Sequence, residues 1–487
     1  MTARAAVLSL LFAAVFATPA HANIITTENA RPGTDLWRLS HSPSADIAAY
    51  ASSTSVIAGD RIRFFISTSG DATIELEIFR MGWYDGLGGR RMTEPVARKV
   101  VQQPMPAPDA DGMIRCNWSE SYSLSVPKNW VSGFYLAKIT GKPSGKQNHV
   151  IFVVRDERAA DLLFQSSVTT YQAYNNWGGK SLYTRNSTGA PAKKVSFDRP
   201  YALPSGPADF LIGWEYDMVR WLEREGYDVT YGTNIDTHAR PAMLRRVKAF
   251  LSVGHDEYWS WEMRANVEAA RDAGIHLGFF SGNTCYWQIR LEDDLRTIVA
   301  HKETALKTDP LALDADTTND ARATSRWRDA PVSRPEEALI GVMSGESQID
   351  GDIVIDNASH WVFANTKLAN GDKLPGLLGY EVDKIAGIQS PPGLVRLAHS
   401  PYVKITNKSR TGFSDMTIYT AKSGAIVFAA GTIQWSWGLD GYGNAARSDR
   451  VNVAAQQITK NVLDRMIGRR PSSALRAPSP RTRGEGH

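Results

Sequence analysis

Lys248-Ala249-Phe250-Leu251-Ser252-Val253 is a short apolar run, and Gly254-His255-Asp256-Glu257-Tyr258-Trp259 separates it from a helical pattern that opens at Ser260. Six apolar-rich residues ended by glycine read as a buried strand. The helix has Ser260 as N-cap, Glu262 in its first turn, a face of Met263, Val267 and Ala270, and Gly274 as its stop. A second apolar run, His276-Leu277-Gly278-Phe279-Phe280, follows at once. Strand, helix, strand implies a parallel sheet with helices on its faces.

The same grammar extends both ways. Upstream, Asp161 to Ser166 reads as a strand, Trp214, Met218 and Leu222 repeat every four residues of a helix ended by Gly226, and Tyr227 to Tyr231 reads as another strand. Downstream, Ala425 to Ala430 closes the sheet and a last helix runs from about Val451 to Met466. Residues 300–375 are less regular and are expected to be an insertion. Before residue 156 the period is two, clearest in Ala72 to Phe79, with turns between short runs. That pattern predicts an antiparallel β-sandwich of the Ig-like kind. The expected divisions are a leader at 1–22, a sandwich at 23–156, an α/β part at 157–467 and a disordered basic tail at 468–487.

The leader has Arg4, an apolar run from Ala5 to Ala17, and Ala20-His21-Ala22 as a small-residue cleavage pattern. It reads as a secretory signal peptide cut after Ala22, giving a periplasmic or secreted protein without a membrane span. The chain of 487 residues carries a formal net charge of +4. Most of the excess sits at the ends, where Arg469, Arg470, Arg476, Arg481 and Arg483 face one acid, Glu485. Without a basic face on the body, nucleic acid is excluded as a partner. The two cysteines, Cys116 and Cys285, are too few for a thiolate zinc site, and spacing leaves their pairing open.

Ligands of open parallel sheets bind beyond the carboxyl ends of the strands. Three such ends are rich in functional groups: Thr169 to Gly179, Gly254 to Ser260, and Ser281 to Trp287. The Gly-His-Asp-Glu-Tyr-Trp elbow holds acids and an imidazole where a hydrolase would hold Ser or Cys, and no GxSxG is present. This favours metal ligation or acid–base work over an acyl-enzyme. The bland alternative is that Asp256 and Glu257 only stabilise the helix start while His255 makes a local hydrogen bond. Trp435-Ser436-Trp437-Gly438 reads equally as a sugar-stacking platform or as packing.

Taken in order, Phe79-Arg80-Met81-Gly82-Trp83-Tyr84, Ser132-Gly133-Phe134-Tyr135, Thr170-Tyr171-Gln172-Ala173-Tyr174, Gly254 to Trp259, Ser281-Gly282-Asn283 and Gln434 to Gly438 resemble the large (beta) subunit family of N,N-dimethylformamidase. The resemblance runs from about residue 45 to 465. It implies a glutamine-amidotransferase-like α/β domain and a mononuclear Fe³⁺ held by two tyrosinates and a glutamate. By position these would be Tyr135, Tyr174 and Glu257, with Tyr171 the substitute for either tyrosine. His255 and Asn283 would orient or polarise the substrate, and His255 or Glu381 would pass a proton to the leaving amine. Two phenolates and a carboxylate suit a hard trivalent cation. The implied activity is hydrolysis of a C–N amide bond in a small substrate through an iron-activated water. The alternatives are a non-catalytic carbohydrate or cell-envelope binding protein, and a deacetylase or esterase using the same pocket. A homo-oligomer and a small partner subunit both stay open.

Overall fold

The computed structural model describes residues 23–203, 205–442 and 450–469. The leader expected at 1–22, and the tail from residue 470 on, lie outside the described residues. Within residues 47–155 two sheets face each other. One orders Ile47–Ala51, Arg61–Thr68 and Tyr122–Ser125, all antiparallel. The other orders Ser55–Ile57, Gln147–Arg155, Gly133–Lys142, Thr73–Met81 and Gly89–Arg91, antiparallel except between the first two. Ile74, Leu76 and Ile78 alternate inward and meet Ile62, Phe64 and Ile66 in one core. This is the burial that period-two patterning dictates.

Gly133–Lys142 is buried on both faces, because the second sheet is sandwiched in turn against the α/β part. Tyr135, Ala137 and Ile139 face the two-sheet core, whereas Phe134 and Leu136 join the large core behind it. Phe134 stacks on Phe210 with ring centroids 4.3 Å apart. Arg80 fastens the two parts together. Its guanidinium donates to both Glu223 oxygens at 2.8 and 3.0 Å, and both side chains are fully buried. Tyr84 accepts from Arg80, and Tyr231 donates to Glu223.

The large sheet orders Val229–Thr233, Ala160–Ser166, Val247–His255, His276–Gly282, Ile426–Ala429, Asn407–Thr420 and Val395–Lys404. The first five are parallel, and the last two add antiparallel. Helices Glu215–Arg224 and Trp261–Asp272 form where their periodicity places them. Ser260 caps the second, its hydroxyl accepting from the Met263 amide at 3.1 Å. The closing helix spans Val453–Ile467 and stops at left-handed Gly468.

Within the span expected to be irregular, residues 300–342 are short helices and turns. The rest departs from that expectation: Met343–Val354 is a long strand paired with Lys373–Lys384. Three register shifts interrupt this hairpin, so its side chains lose the strict alternation that marks a strand. Cys116 and Cys285 are both free and buried. Among the described residues no helix is long and apolar enough to cross a membrane.

A candidate active site beyond the parallel strands

The strand Val247–His255 ends in a forced turn. Gly254 has φ +68°, and a Cβ there would collide with Trp214, so only glycine fits. The chain then forms a short strand, Tyr258–Ser260, before the helix begins. Asp256 and Glu257 therefore stand ahead of the helix, whose N-cap is Ser260 and whose first turn holds Glu262, as the sequence implies. Asp256 is fully buried and accepts from Gln165, Asn234 and Ser252 at 2.7–3.0 Å, a knot that fixes the turn. Glu257 points the other way.

Tyr171, Tyr174, Arg185, Trp214, His255 and Glu381 line part of a cavity of about 310 Å³, and Glu257 lies just behind it, in contact with Tyr174 and His255. Tyr174 donates to Glu257 Oε2 at 2.8 Å. Tyr183 donates to both carboxylate oxygens at 3.1 Å, and Tyr258 donates to Tyr183 at 2.6 Å. Lys302 sits over the Tyr183 ring, its Nζ 3.5 Å from the centroid. Three oxygen donors of two phenols and one carboxylate thus converge in a buried place.

Tyr135 does not reach this cluster. Its hydroxyl donates to the Val131 carbonyl at 2.7 Å, and its ring stacks on Trp130 inside the two-sheet core. The reason is the strand's period of two: Phe134 takes the face toward the α/β part and Tyr135 the opposite one. Tyr171 lines the cavity, but its phenol neighbours Glu215 rather than Glu257. The second phenol is Tyr183, which no motif marked. Left-handed Gly178 and Gly179 turn the chain back, so Tyr183 stacks on Tyr174 with centroids 4.3 Å apart. That glycine pair was the one visible hint.

His255, Asn283 and Glu381 are brought together above Glu257. His255 Nε2 lies 3.1 Å from Glu381 and 3.4 Å from Glu257. The Asn283 amide donates to Glu381 and lies 3.3 Å from His255 Nε2. Its NH₂ group is therefore committed within the protein, and the Asn283 backbone N–H donates to Asp383 at 2.7 Å. Burial opposes a charged imidazole, but the Glu381 and Glu257 carboxylates outweigh it and push His255 up to about 9. Burial also opposes ionised Glu381, yet His255 and Asn283 hold its carboxyl below the usual range. Burial raises Glu257, against the pull of His255. Burial, then the Glu257 charge, hold the Tyr174 and Tyr183 phenols well above their ordinary value. Asp209, absent from the sequence reading, also lines the cavity, and burial pushes it up to about 7.

The tryptophans of Trp435-Ser436-Trp437-Gly438 are not a platform. Trp435 is fully buried and donates to Thr459 at 3.0 Å; Trp437 donates to the Gly213 carbonyl at 2.7 Å. Their ring faces are used in packing.

The sequence profile described as N,N-dimethylformamidase beta subunit-like, C-terminal, matches residues 75–448. The chain belongs to that family. It is 23% identical over 439 residues to the N,N-dimethylformamidase beta subunit of Alcaligenes sp. It is 22% identical over 443 residues to that of Paracoccus aminophilus. Each alignment covers 74% of this chain and 56% of the relative, so this member of the N,N-dimethylformamidase beta subunit-like family spans little more than half their length. Both relatives are named as subunits of a larger enzyme.

Proposed function

We propose that the protein is an exported hydrolase of C–N amide bonds, with Tyr174, Tyr183 and Glu257 as the donors for a ferric ion. The observation that carries this reading is the convergence of both phenol hydroxyls on the Glu257 carboxylate within 3.1 Å, beside a cavity that Tyr174 lines. The fit is chemical: three hard oxygens that become anionic together match a trivalent cation, and buried phenols ionise only for such a partner. A ferric ion held there would supply Lewis acidity toward an amide carbonyl.

The chain's own residues account for the rest. An amine leaves an amide only after its nitrogen gains a proton. His255, kept protonated by Glu381, holds that proton at Nε2 beside the cavity. Asn283 fixes the pair by bonding Glu381 and approaching His255. Trp214 and Tyr380 form part of the cavity wall. The apolar stretch before Ala22 supports export, and the relatives' names support a partner subunit. Buried Trp435 and Trp437 remove the feature on which a carbohydrate-binding reading stood.

The test is a panel of small amides, acetylated sugars and esters, assayed on purified full-length protein together with its iron content. Amine release that depends on iron is expected. Turnover of esters or acetylated sugars but no amide would replace the reading with the deacetylase or esterase alternative. Iron-free protein that binds a glycan and turns over nothing would return it to a binding module.

A further inference from the structure

A second cavity, of about 380 Å³, adjoins the first. It lies where the two-sheet part meets the α/β part, and Ser205 lines both. The turn that follows Ser205 is the partition: Ala208, Leu211 and Ile212 face the second cavity, Asp209 and Trp214 the first. Trp37, Tyr201, Leu211, Ile212, Tyr216 and Tyr442 give it an aromatic and aliphatic wall. Ile212 stays 46% exposed there, an apolar surface with no protein cover.

Several of the polar side chains around this cavity already have partners within the protein. Arg38 Nε donates to the Tyr442 hydroxyl at 2.9 Å, and Tyr216 donates to the Gly88 carbonyl at 2.6 Å. Asn148 donates to the Ile47 carbonyl at 2.7 Å. His149 pairs with the Trp37 carbonyl at 2.8 Å. An occupant therefore meets a mainly aromatic and aliphatic wall, with Arg38, His41 and Ser205 as polar groups at its margin, which favours a hydrocarbon or aryl group.

We infer that the two cavities are one substrate cleft, in which the amide lies against Tyr174, His255 and Glu381 and an apolar alkyl or aryl arm runs past Ser205 into the second chamber. This rests on the amide-hydrolase reading for what occupies the first cavity. Either chamber alone is near the lower bound of ~300 Å³ for small-molecule sites, and the two together suit a ligand of many more heavy atoms.

The test uses linear primary amides from acetamide to octanamide on the full-length protein. Binding is followed by tryptophan fluorescence, and ammonia release in parallel. Each methylene that enters the chamber should tighten Kd about fourfold, the equivalent of ~0.8 kcal/mol per buried CH₂. Ile212→Asp, at an exposed position, and Ala208→Phe, which fills space, should each flatten that dependence while leaving acetamide unchanged. A Kd indifferent to chain length, or a slope that survives both substitutions, overturns the inference. A slope in binding without ammonia release upholds the chamber and defeats the hydrolase reading; release without a slope does the reverse.

Discussion

Tyr183 stacks on Tyr174 at 4.3 Å between ring centroids, and the hydroxyls of both end on Glu257. Eight residues of chain, turned by two left-handed glycines, separate the two phenols. Tyr183→Phe keeps the stack and removes only an oxygen. We expect it to lose at least tenfold in iron occupancy and to bleach any tyrosinate absorption. Tyr135→Phe removes a hydrogen bond to Val131 in another core and should cost only about 1 kcal/mol of stability. Iron analysis and visible spectra of the two variants decide it: colour retained in Tyr183→Phe and lost in Tyr135→Phe restores Tyr135 as a donor.

The His255–Glu381 pair sets a pH dependence. The imidazole is raised from 6.5 to about 9, so the stabilisation it brings is complete below pH 6.5 and is lost as pH rises through about 9. In metal-free protein its ring resonances should titrate near 9 by NMR. Glu381→Gln removes the leading favourable charge and leaves burial opposed only by Glu257 and Asp209, so the midpoint should fall. A midpoint that stays near 9 would show that Glu381 is not what holds the proton.

Arg80 and Glu223 join the two-sheet part to the α/β part through a buried ion pair. Both are fully buried, so removing one partner strands the other charge. Arg80→Met should cost about 3–5 kcal/mol in urea unfolding, whereas the double replacement with Glu223→Leu should recover much of it. A loss in the double variant equal to the sum of the two single losses would mean that the two side chains act independently.

Legibility in the sequence followed burial. Strands buried on both faces, such as Ala249 to Val253 and Leu277 to Phe280, are near-continuous apolar runs, and the parallel sheet is legible from them. Met343–Val354 carries Gly-Glu-Ser-Gln-Ile-Asp-Gly-Asp and three register shifts, so neither hydrophobicity nor period marks it. The same logic governs the site. His255 and Glu257 share one turn, and order along the chain already places them together. Tyr135 lies in Gly-Phe-Tyr-Leu-Ala, where every residue is buried, and composition does not say which face points to the α/β part. Tyr183 is joined to Tyr174 only by a loop that returns on itself, a tertiary fact without a motif.

Asn283 is the place where function and stability should part. Its backbone is left-handed, φ +52°, and its buried Oδ1 has no hydrogen-bond partner, while its NH₂ bridges Glu381 and His255. A buried unpaired carbonyl costs ~1–3 kcal/mol, and glycine adopts a positive φ without penalty. Asn283→Gly removes both costs, so unfolding in urea should shift by less than about 1 kcal/mol or move toward greater stability. Without the amide, Glu381 and His255 lose their fixed orientation, and proton delivery to the leaving amine should slow by ~10²-fold in kcat with KM little changed. Iron content should be untouched, because Asn283 has no contact with Tyr174, Tyr183 or Glu257 among its hydrogen bonds. Turnover within threefold of the parent enzyme would show that the bridge plays no part in catalysis, and a stability loss above 2 kcal/mol would show that the amide is there for the fold.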